Sequence, residues 1–85
     1  IKDVLQHLPT KIIIQFMNYI IKSHKFKYIL LINCYNTTPE NTITFRKDIK
    51  PGEFSSLSAL KYPLNKYGGK VKYKWDTKEV SLITL

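Results

Sequence analysis

Cysteine, arginine, acidic residues and glycine are all scarce in this chain, and each shortage excludes something. A single cysteine, Cys34, rules out an internal disulfide framework. It lies in an apolar run and is expected to be a buried thiol, which fits a reducing, intracellular setting, cytoplasmic or nuclear. The six acids (Asp3, Glu40, Asp48, Glu53, Asp76 and Glu79) are scattered, and no His/Cys/Asp/Glu set has metal-ligand spacing. With three glycines there is no phosphate-cradling loop, because Gly68-Gly69 precedes a strand pattern and not a helix. No apolar run approaches the roughly 18–20 residues that cross a bilayer. Neither a cofactor nor a membrane is expected.

What is abundant is lysine. Fourteen Lys+Arg face six Asp+Glu, giving a net charge of +8 in 85 residues, and the pI is about 9.7. A small domain this basic is suited to polyanions. Arg46 is the only arginine. Lysine meets a phosphate as a point charge and lacks the planar fork that reads guanine edges, so DNA or RNA would be held by its backbone without sequence preference. A lysine-rich surface also serves solubility and edge protection. The hydrophobic fraction of 44% supports one folded domain over residues 1–85.

Along the chain, Val4, Leu5 and Leu8 suggest a helix over Ile1–Leu8, closed by Pro9. Thr10 is placed to cap a second helix to about Lys22, with Ile13, Phe16, Met17 and Ile20 in one stripe. Ile12, Ile14, Tyr19 and Ile21 widen that stripe, making Ile12, Phe16, Tyr19 and Ile20 a candidate partner interface, with a homo-oligomer as one form of it. Phe26–Tyr35 reads as a strand, apolar on both faces and therefore central. Thr42–Lys47 alternates and pairs with it as a hairpin. A third helix is expected from about Glu53 to Lys61, ended by Pro63, with a last turn at Leu64–Tyr67 stopped by Gly68-Gly69.

From Lys70 to Trp75 the chain alternates strictly: Lys70, Lys72 and Lys74 on one side, Val71, Tyr73 and Trp75 on the other. A two-residue turn at Asp76-Thr77 would set Trp75 against Lys78, Lys74 against Glu79, Tyr73 against Val80 and Val71 against Leu82. Tyr73 and Trp75 are then expected in the core and the lysines in solvent. The resulting expectation is an α+β domain in the order α-α-β-β-α-β-β. It would hold a four-stranded antiparallel sheet of two hairpins with helices packed on one face.

His7, His24 and Cys34 have no spaced partners, so no catalytic residue is nominated and the chain is expected not to be an enzyme. Leu64-Asn-Lys-Tyr-Gly-Gly-Lys-Val-Lys-Tyr73 resembles the stretch of LAGLIDADG homing endonucleases where a helix ends and a Gly-Gly pair opens a strand. It spans ten residues. The metal-holding acid of that family's helix has no counterpart in Thr10–Ser23, so the resemblance implies a similar supersecondary layout and no catalytic residue. The candidate nucleic-acid site is the basic patch: Lys66, Lys70, Lys72, Lys74 and Lys78 around the last hairpin, with Arg46, Lys47 and Lys50, and Tyr67 as a base-stacking ring. The alternative is a subunit or inhibitor that docks on an acidic partner protein.

Overall fold

A computed structural model of the chain describes residues 1–35, 48–50 and 53–85. Among these there is one α-helix, α1 (Thr10–Ser23), and three strands, β1 (Tyr28–Cys34), β2 (Lys70–Trp75) and β3 (Lys78–Thr84). The strands form an antiparallel sheet in the order β1-β3-β2. This corrects the expected four strands and additional helices. The expected strand Thr42–Lys47 lies outside the described residues.

α1 forms where the apolar stripe predicts it. Ile13 and Met17 are fully buried against Ile29, Leu31 and Ile83 of the sheet, with Phe16 and Ile20 packed at the margin. Its start differs from the expected cap. Thr10 is the first helical residue after Pro9, and its N–H donates to Asp48 Oδ1 at 2.8 Å from 38 residues away. An aspartate at that end satisfies an orphan donor and faces the positive pole of the helix dipole. The helix ends at His24, which takes a left-handed conformation (φ 53°).

The two other expected helices do not form, for a common reason: their backbone groups are claimed by other elements. Ile32 N–H donates to Ile1 O, and Asp3 N–H to Ile32 O, each at 2.8 Å, so the first three residues pair along β1. Only Leu5–His7 coils, as a single 3₁₀ turn. In 53–61 the amides of alternate residues go to other elements. Ser55 N–H donates to Gln6 O (3.0 Å), Leu57 N–H to Cys34 O (2.7 Å) and Ala59 N–H to the Glu79 carboxylate (2.9 Å). Ser55, Ser56 and Ser58 are weak helix formers whose hydroxyls compete for backbone groups. The final turn at Leu64–Tyr67 does form, as a 3₁₀ turn that Gly68 ends at φ 69°.

β1 is apolar on both faces yet is not central; β3 holds that place. One face of β1 (Ile29, Leu31, Asn33) meets the core, and the other (Tyr28, Leu30) is open. The register Ile29↔Ile83, Leu31↔Ser81 and Asn33↔Glu79 continues the covered face across β3. α1 and the 53–60 segment lie on that side, where Leu57 and Leu64 complete the core.

Candidate nucleic-acid interface

The last hairpin turns at Asp76-Thr77, with Asp76 in the left-handed region (φ 52°), which aspartate tolerates better than most side chains. Trp75↔Lys78, Lys74↔Glu79 and Tyr73↔Val80 pair as the alternation predicts. Past Tyr73 the register shifts: Val71 opposes Ser81, not Leu82, and Lys70 opposes Leu82. The extra residue, Lys72, is a β-bulge. Because side chains alternate with period two, one inserted residue exchanges the faces of everything upstream of it.

The lysine row is therefore split. Lys74 shares the side of Glu79, with its ammonium 4.7 Å from the Tyr35 ring centroid. Lys70 shares the side of Leu82 and Leu30, and Lys72 projects at the bulge. The expectation that Tyr73 and Trp75 lie in the core is reversed, since their exposures are 62% and 42%. The covered side of β3 is the one bearing Glu79, Ser81 and Ile83, and Tyr73 and Trp75 lie on the opposite side with Val80 and Lys78.

That outer sheet face is broad. Across the strands run Leu30–Leu82–Lys70, Ile32–Val80–Tyr73 and Cys34–Lys78–Trp75, with Tyr28 at the far corner beside Thr84. Tyr28 and Leu30 are 59% and 49% exposed. The rings of Tyr73 and Trp75 touch, with centroids 5.4 Å apart and planes tilted by 38°.

Lys66, Lys70, Lys72 and Lys74 are all exposed, and among the described residues none of them is in an ion pair. Lys78 differs. It is half-buried and its ammonium donates to the Asp3 carboxylate. That hydrogen bond holds Asp3 below the usual carboxylate range and pushes Lys78 upward. Its charge is thus partly spent within the molecule. Lys50 is exposed, its backbone N–H donating to Glu53 Oε1. Arg46 and Lys47 lie outside the described residues. Tyr67 does not present a stacking ring: it packs against the core, its hydroxyl is buried without a hydrogen-bond partner, and burial raises its pKa.

Of the candidate partner interface, Ile12 and Tyr19 are exposed on α1, whereas Phe16 and Ile20 are half-buried. Phe16 and Ile20 line an apolar groove of about 340 Å³ with Ile1, Phe26, Tyr28 and Leu30. The histidines and Cys34 have separate surroundings. His7 packs on Phe54 (5.6 Å between centroids), His24 caps α1, and Cys34 adjoins Lys78. Among the described residues no group of three or more His, Cys, Asp or Glu could hold a metal ion, and no helix is long and apolar enough to cross a membrane.

Beneath the sheet, Glu79 is buried (2% exposed) and takes hydrogen bonds on both carboxylate oxygens from Ser58 Oγ, at 3.1 and 2.9 Å, and one from Ala59 N–H. This clamp holds the 58–59 segment on the inner face. Sequence reasoning nominated Lys70, Lys72 and Lys74 but missed Tyr28, Leu30, Tyr73 and Trp75 as surface residues. The available signal was that Val80 and Leu82 alternate with Glu79 and Ser81, leaving either face of β3 eligible for the core. The chain matches no protein-family model, no curated protein and no solved structure.

Proposed function

We propose that this chain is a non-enzymatic nucleic-acid-binding module that holds the phosphate backbone through the lysines of its last hairpin and of the turn before it. The observation that carries this is the composition of the last hairpin. Residues 66–78 hold five lysines and one aspartate, and only Lys78 of the five is engaged in an ion pair among the described residues. Four exposed ammonium groups complement a polyanion: Lys70 and Lys72 toward the outer face, Lys74 beside Tyr35 and Lys66 in the turn before β2. An intracellular location goes with this function and with the free thiol of Cys34.

The test is a titration into labelled single- and double-stranded DNA and RNA across salt concentrations. Four phosphate contacts predict a slope of log affinity against log salt of about −2.8 on single strands, from −0.7 for each contact. Neutralising Lys70 and Lys72 to Gln reduces the slope by about half. No binding at low salt refutes the proposal.

A second function is favoured by the apolar groove between α1 and β1, with Ile12 and Tyr19 exposed on the same helix. There the chain is a subunit or inhibitor seated on an acidic partner protein. It predicts no intrinsic nucleic-acid affinity at physiological salt and a measurable association with that partner.

A further inference from the structure

We infer that the outer sheet face takes unpaired nucleic acid, with bases stacking on Trp75, Tyr73 and Tyr28 while lysines meet the phosphates. This rests on the nucleic-acid function proposed above and specifies the form of its ligand.

Lysines alone do not distinguish single strands from duplex. The aromatic rings do. A folded domain hides tryptophan and tyrosine rings in its core or presents them to something that uses their faces. Here two tyrosines and the only tryptophan stand on one sheet face, half exposed or nearly so. In a duplex the base faces are already stacked on one another, so only an unpaired strand offers them to a protein ring.

The spacing suits such a strand. The touching rings of Trp75 and Tyr73 tile one end of the face. Tyr28 lies four residues along the sheet and two strands across from Tyr73, roughly 16 Å away by ordinary strand geometry. That distance leaves room for intervening nucleotides over the apolar floor of Leu30, Ile32, Val80 and Leu82. Lys70, on the same face, and Lys72, at the bulge, lie where the backbone would run. Apolar floor, aromatic ends and flanking cations are the parts of a sequence-tolerant single-strand platform.

The competing occupant is a second copy of this chain, sheet against sheet. Charge argues against it. Two chains of +8 each would be brought face to face with Lys70 and Lys72 of both at the contact, whereas a polyanion neutralises those groups.

Trp75 makes the test direct, because it is the only source of tryptophan fluorescence. An oligothymidylate and a duplex of equal length are titrated at low salt, with wild type, Trp75→Ala and Tyr73→Ala compared by labelled-oligonucleotide anisotropy. Stacking predicts quenching of Trp75 emission by the single strand. It also predicts that each alanine weakens single-strand affinity about 5- to 150-fold, from roughly 1–3 kcal/mol per stacked base, with duplex affinity changed much less. Both side chains are substantially exposed, so the variants are expected to stay folded, and circular dichroism checks this. Single-strand binding that survives both substitutions overturns the platform while leaving the general nucleic-acid function standing. Absence of binding to either form removes both. A dimer that shields Trp75 without nucleic acid also overturns it.

Discussion

Glu79→Ala tests how the inner layer of the sheet is held. The side chain it removes accepts from the Ser58 hydroxyl and the Ala59 amide in a site where Glu79, Ser58 and Ala59 are at most 4% exposed. A buried donor stripped of its acceptor costs about 1–3 kcal/mol. Two such donors cost about 2–6 kcal/mol, the lower end applying if the serine hydroxyl turns to another acceptor. A domain of 85 residues has a total stability of roughly 4–13 kcal/mol, so the loss is a large share of it. Equilibrium urea unfolding reads this as a midpoint lowered by about 1–3 M at unchanged slope. Glu79→Gln keeps one carbonyl oxygen for the Ala59 amide and should lose less than half as much. Adding Ser58→Ala to Glu79→Ala should cost little more, since the two share one interaction. A Glu79→Ala protein within about 0.5 kcal/mol of wild type, the range of ordinary surface substitutions, would refute the clamp.

The Asp3–Lys78 pair sets an acid limb. Because the folded-state pKa of Asp3 is lowered, its contribution is fully present above the unfolded carboxylate value and is lost as pH falls through the lowered one. Asp3→Asn should flatten the stability profile in that acid range in a pH series of thermal melts. Asp76→Val places a β-branched residue at φ 52° and should destabilise by about 1–2 kcal/mol, whereas Asp76→Gly removes the strain; urea midpoints compare the two. Gly69→Ala sets a methyl 3.0 Å from Ile83 Cγ1 and 3.3 Å from Ala59 Cβ, and should cost about 1 kcal/mol or more by overpacking in the same assay.

Periodicity made α1, β1 and the β2–β3 hairpin legible, with length deciding for helix in the β-branched α1 segment. Sidedness requires an even loop, of two or four residues, and the two-residue turn at Asp76-Thr77 with its three nearest pairs is the one that forms. The bulge at Lys72 does not: strict alternation of lysine with Val71, Tyr73 and Trp75 conceals an inserted residue that only the pairing with Ser81 and Leu82 reveals. Burial was harder still. β1 is apolar on both sides, and Val80 and Leu82 are greasier than Glu79 and Ser81, so hydrophobicity pointed to the wrong face of β3. Glu79 is tolerated inside because Ser58 and Ala59 supply its hydrogen bonds, a pairing across about twenty residues. The 53–61 segment misled for the same reason: Phe54, Leu57 and Leu60 have helical spacing, but the amide partners lie on other elements. The lysines of the candidate interface were evident from charge, and its aromatic half was hidden by that reversal of faces.

The strand order has a consequence for how this molecule comes together. β3 is central but is the last of the three strands to be synthesised. The β2–β3 hairpin closes across a two-residue turn, whereas β1 joins β3 only through pairs 44 to 56 positions apart, from Cys34↔Lys78 to Tyr28↔Thr84. Each doubling of loop length adds roughly 0.6 kcal/mol of closure entropy, so the local hairpin has the advantage. Until it docks, β1 carries Tyr28, Ile29, Leu30, Leu31 and Ile32 with neither a strand beside them nor a completed core beneath. During that interval the chain's most apolar segment depends on the surrounding lysine charge to keep separate molecules apart.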